Sequence, residues 1–63
     1  MDRDELTVLL LDLERKHGWR RWNIFEYDDG RVKFTVERLT RNSEIYLNSF
    51  DEFTDFVAVL AAS

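Results

Sequence analysis

Residues 22–37 read Trp-Asn-Ile-Phe-Glu-Tyr-Asp-Asp-Gly-Arg-Val-Lys-Phe-Thr-Val-Glu, and the way this stretch turns decides the fold. Trp22–Tyr27 and Arg31–Glu37 are strand-like runs. In the second, Val32, Phe34 and Val36 alternate with Arg31, Lys33, Thr35 and Glu37, a period of two that places one set inward and the other outward. Between the runs, Asp28-Asp29-Gly30 carries its glycine at the end of the turn, where the backbone must reach positive φ.

Two registers compete. A two-residue loop at Asp29-Gly30 sets Phe25 opposite Phe34 and Tyr27 opposite Val32, turning Asn23, Phe25 and Tyr27 inward and pushing Trp22 and Ile24 out. A three-residue loop, Asp28-Asp29-Gly30, closes with a glycine bulge and sets Ile24 opposite Phe34 and Trp22 opposite Val36. A slip of one residue exchanges the two faces of the strand. The second register is preferred, because it buries Trp22 and Ile24 and leaves the Asn23 amide in water. It turns one acid, Glu26, inward near the hairpin end, where solvent is close.

Working outward, residues 4–17 read as a helix. Leu6, Leu9, Leu10, Leu13 and His17 share one face, Asp4 caps the start, and Arg15, Lys16 and His17 suit the negative end before Gly18 stops the helix. Val8 and Leu11 widen the stripe. The first strand is read from Trp19 or Arg20 to Tyr27 and the second from Arg31 to about Arg38. A turn at Arg41-Asn42-Ser43 leads to a short third strand, Glu44–Asn48, with Ile45 and Leu47 inward. Ser49-Phe50-Asp51-Glu52 fits a capping box opening a second helix, along which Phe53, Phe56, Val57 and Leu60 recur at helical spacing.

The order α-β-β-β-α predicts a single small α+β domain over residues 1–63. Its sheet is a three-stranded antiparallel meander with both helices packed on one face. The helical stripes then cover Trp22, Ile24, Val32, Phe34, Val36, Ile45 and Leu47. Phe25, Tyr27 and Tyr46 share the opposite face with Arg31, Lys33 and Thr35.

With 63 residues and no cysteine, stability must come from apolar packing. Thirteen acids against nine bases give a net charge of −4, which weakens any general affinity for nucleic acid. The longest apolar run, Val8–Leu11, is far too short to span a bilayer. The acidic start, Met1-Asp2-Arg3-Asp4-Glu5, is unlike a secretory signal, so the expected location is the cytoplasm.

Catalysis and cofactor chemistry find no support. His17 is the only histidine and has no cysteine to activate. Asp28 and Asp29 lack calcium-loop spacing, and no glycine-rich phosphate loop exists, so neither metal nor cofactor is expected. Two constellations remain. Arg15-Lys16-His17-Gly18-Trp19-Arg20-Arg21-Trp22 interleaves bases with aromatics, and Trp19, Arg20 and Arg21 form a candidate nucleic-acid contact if the Trp19 indole is exposed. The acids cluster as Asp2-Asp4-Glu5, Glu26-Asp28-Asp29 and Asp51-Glu52-Asp55; aligned on one surface they would imitate a nucleic-acid backbone or plug a basic groove.

The leading expectation is a protein-interaction domain, an inhibitor, adaptor or regulatory subunit of the kind common among phage and mobile elements. It would bind a protein through Phe25, Tyr27, Tyr46 and Lys33, with Asp28 and Asp29 steering approach. The alternatives are the nucleic-acid module and a homodimer joined through the same sheet face or the third-strand edge.

Overall fold

The computed structural model describes residues 1–63. Its elements are α1 (Arg3–His17), β1 (Arg21–Glu26), β2 (Val32–Glu37), β3 (Asn42–Leu47) and α2 (Phe50–Ala62). The strands form one antiparallel sheet in the order β1-β2-β3. No helix is long and apolar enough to cross a membrane.

The three-residue hairpin is present. Trp22 lies opposite Val36 and Ile24 opposite Phe34. Tyr27 N–H donates to the Arg31 carbonyl at 2.8 Å and Gly30 N–H to the Tyr27 carbonyl at 3.0 Å, with Gly30 at φ 92°. The Asp29 carboxylate fixes the turn further: its Oδ1 accepts from Arg31 N–H (3.1 Å) and its Oδ2 from Arg31 Nε (2.8 Å).

This register leaves Val32, Phe34 and Val36 fully inside. Phe34 is the hub. Its ring centroid lies 5.2 Å from Phe53, 6.0 Å from Trp19 and 6.4 Å from Phe56. Leu6, Leu10 and Leu13 of α1, Leu47 of β3 and Phe53 and Val57 of α2 complete the same core, with Trp22, Ile24, Ile45, Phe56 and Leu60 half-buried at its margin. Both helices therefore cover one face of the sheet, and the other face is open.

Several local readings are corrected. Helix α1 starts at Arg3, because Asp2 rather than Asp4 is the cap; its Oδ1 accepts from Glu5 N–H at 2.8 Å. Arg41-Asn42-Ser43 is not the second turn. Arg38 N–H donates to the Arg41 carbonyl (2.8 Å), so the chain reverses at Leu39-Thr40 and β3 begins at Asn42. Strand β1 begins at Arg21 and β3 ends at Leu47. His17 is exposed and stacks on Trp19 at 6.0 Å instead of joining the apolar stripe.

Of the two placements open to Trp19, exposed beside Arg20 or packed on the first helix, the structure takes the buried one. Gly18 adopts the left-handed conformation at φ 69°, and both Gly18 and Trp19 N–H donate to the Glu14 carbonyl. That reversal folds the next residue back beneath the helix, a position that favours an apolar side chain. Trp19 is accordingly buried, at 6% exposure. The inward acid also finds a partner: Glu26 Oε1 accepts from Arg3 Nη2 at 2.7 Å, while the same guanidinium lies 4.5 Å from the Phe50 ring centre.

Phe34→Ala is expected to cost about 3–5 kcal/mol. A domain of this length has roughly 3–9 kcal/mol in total, so the variant should show little or no cooperative transition in urea followed by circular dichroism. Gly30→Ala meets no atom within 4 Å of the added Cβ. Its penalty is confined to the backbone, about 1–2 kcal/mol, and should appear as a lower urea midpoint with an unchanged slope.

Candidate functional site

The open face is ordered by the pairing in cross-strand rows. Arg21, Glu37 and Asn42 form one row; Asn23, Thr35 and Glu44 the next; Phe25, Lys33 and Tyr46 the third. Tyr27 and Arg31 close the hairpin beyond it. The half of the face near the Asp28-Asp29-Gly30 turn is thus aromatic and cationic, and the other half is polar.

Phe25 and Tyr27 follow one another on the same side of the strand, their ring centres 5.0 Å apart at 66°. Lys33 Nζ stands 5.7 Å from the Phe25 ring centre and Arg31 Cζ 5.4 Å from that of Tyr27, both within cation–π range. Phe25 is 52% and Tyr46 63% exposed. A notch of about 190 Å³ opens between Tyr27, Arg31, Tyr46, Leu47 and Asn48. That is below the ~300–1,000 Å³ of ordinary small-molecule pockets and matches a single protruding side chain.

The Tyr46 hydroxyl donates to Glu44 Oε2 at 2.9 Å. The pKa of Tyr46 is raised above the ordinary tyrosine value, first by this bond, then by partial desolvation, then by the charges of Glu44 and Tyr27.

Topology also settles how the acids lie. Arg3 touches Glu26 and Phe50, so the starts of α1 and α2 meet at the end of β1. At the other end, Lys16 Nζ donates to the Ser63 backbone oxygen at 3.0 Å. The helices are therefore parallel, and both N-termini sit at the end that carries the β1–β2 turn. All three acidic clusters, Asp2-Asp4-Glu5, Glu26-Asp28-Asp29 and Asp51-Glu52-Asp55, share that pole. The aromatic patch adjoins it. Arg15, Lys16, Arg20, Arg21, Arg38 and Arg41 gather at the opposite pole.

The structure thus brings Phe25, Tyr27, Tyr46, Lys33, Asp28 and Asp29 to one face and its tip. It does not bring Trp19 to Arg20 and Arg21: the indole is in the core, and the Trp19-Arg20-Arg21 contact loses the ring that was to stack on a base. Arg31, which strand alternation sets on this face but which is not among the expected contact residues, joins the patch through its guanidinium over the Tyr27 ring. No three histidine or acidic side chains converge in a metal-binding arrangement. A scan against protein-family models finds no match, and searches of curated proteins and of solved structures return none.

Glu44→Gln removes the charged acceptor. The ultraviolet titration of tyrosinate should then show one of the two tyrosines ionising at lower pH than in the parent protein. Because the folded value lies above the unfolded one, the contribution of Tyr46 to stability is present below the ordinary tyrosine pKa. It is lost as pH rises through the raised value.

Proposed function

We propose that this chain is a small protein-binding domain that works in the cytoplasm as an inhibitor, adaptor or regulatory subunit. It docks through the aromatic half of its open sheet face. The observation that carries this reading is the row Phe25–Lys33–Tyr46, extended by Tyr27 and Arg31, which stays outside while every other large ring packs into or against the core. Aromatic rings and arginine are the groups that protein interfaces enrich at their centres, and the small notch suits a partner's side chain.

Charge supports one kind of partner. The acidic pole beside the patch favours a protein whose apolar contact point is bordered by lysine and arginine. Such a field steers encounter and raises the association rate more than it tightens the final complex. Lys33 at the centre of the row supplies a donor that a carboxylate or carbonyl of the partner can meet.

The test is a double substitution, Phe25→Ser with Tyr27→Ser, used with parent protein to capture partners from the source cells. Both side chains lie outside the core, so the variant should fold. The partner held by the parent should be lost by at least about tenfold, the loss expected when interface anchors worth 2 kcal/mol or more are removed. Equal retention by a folded variant overturns the reading. With the purified partner, Asp28→Lys, which leaves the Asp29–Arg31 contacts of the turn in place, should slow association and weaken its salt dependence while changing dissociation little.

A further inference from the structure

The pole opposite the aromatic patch carries a cleft of about 450 Å³ between the start of β1 and the β2–β3 turn, within the size range of ligand pockets. Two backbone bonds of 2.8 Å build it. Arg20 N–H donates to the Glu37 carbonyl, and Arg38 N–H donates to the Arg41 carbonyl. They set Arg20 and Arg21 from one segment beside Arg38 and Arg41 from the other. One acid lines the cleft, Glu37, and its Oε2 is already 3.4 Å from Arg21 Nε. Arg38 Nη1 donates to the Ser43 hydroxyl, a neutral acceptor, at 2.7 Å. The side chains of Arg20 and Arg41 form no ion pair and no hydrogen bond, and their charge is unmatched within the protein.

With Arg21 paired to Glu37, the guanidinium groups of Arg20, Arg38 and Arg41 around the cleft have no anionic partner and repel one another unless an anion joins them. A chain that is acidic overall gains nothing in solubility from concentrating them there. All four are arginine, whose planar fork of donors matches phosphate oxygens two at a time. The one apolar lining residue is Leu39 and no aromatic side chain borders the cleft, so there is a place for phosphates and none for stacking a base. We propose that this cleft binds a compact polyphosphate group, two or more linked phosphates held between the Arg20-Arg21 and Arg38-Arg41 pairs. The site is independent of the protein-docking face at the other pole.

The experiment is an amide NMR titration of the whole chain with inorganic tripolyphosphate at low ionic strength, alongside a mixed-sequence single-stranded oligonucleotide. The expected result is saturable shifts at Arg20, Arg21 and residues 38–42, with the amides of Phe25 and Tyr27 unmoved. Arg20→Glu with Arg41→Glu alters two exposed side chains that hold nothing else in place, and should weaken tripolyphosphate at least about tenfold. Arg20→Ala with Arg41→Ala serves if the reversed pair unfolds. The proposal is overturned if millimolar tripolyphosphate leaves those amides unshifted, or if a folded variant binds it as the parent does. Tighter binding of the oligonucleotide, phosphate for phosphate, would overturn the compact-ligand assignment and place a nucleic-acid strand in the cleft.

Discussion

Everything in this structure is arranged around the ring of Phe34. It lies at the middle of the middle strand, fully enclosed, and meets Trp19 from the loop after α1 and Phe53 and Phe56 from α2. A chain of 63 residues without a disulfide depends on one such cluster to hold its layers together. Because the ring points to the helices, strand alternation sends its neighbours Lys33 and Thr35 the other way. Through the register, Phe25 and Tyr46 go with Lys33. The outward patch is the geometric complement of the core.

The same economy explains the separation of charge. Acids near a helix start and bases near its end are ordinary responses to the helix dipole, and α1 has both. Each helix alone would be weakly polarised. The meander has an odd number of strands, so the helices that flank it run in the same direction and the acids of their first turns add at one pole, while α1 alone supplies bases from a last turn at the other. Turn chemistry adds Asp28 and Asp29 to one pole, and the second hairpin adds Arg38 and Arg41 to the other. Residues that are individually explained by capping and turns thereby form two surfaces of opposite sign. The exposed ion pair of Arg3 and Glu26 contributes little stability by itself, yet it stands where α1, β1 and α2 meet.

Much of this was legible in the sequence, and the failures have definite causes. The alternation of Val32, Phe34 and Val36 and the glycine of the first turn mark the hairpin, and the burial of Trp22 and Ile24 favours the register it has. Ser49 marked the start of α2, and its hydroxyl does accept from Glu52 N–H at 3.0 Å. The second turn was misplaced because Leu39-Thr40 carries no glycine, proline or aspartate to mark it, whereas Arg41-Asn42-Ser43 does look like a turn. The bases around Trp19 fit a stacking platform only with the indole exposed, and the sequence leaves that placement open against packing on α1. The signal for its burial was present: an apolar residue directly after a helix-ending glycine folds back under that helix.

What the sequence by itself determined is the set of elements and the alternation of each strand, which keeps Phe25 and Tyr27 on one face; the pairing seen in the structure is the preferred one, and it sets that face outward. These follow from periodicities and turn preferences that act over a few residues. Only the tertiary structure decided that the three acidic runs share one pole and that Arg20 and Arg21 come to lie beside Arg38 and Arg41. Those outcomes depend on helix direction and on contacts between residues far apart in the chain, where no local preference acts and the packing of the layers alone makes the choice.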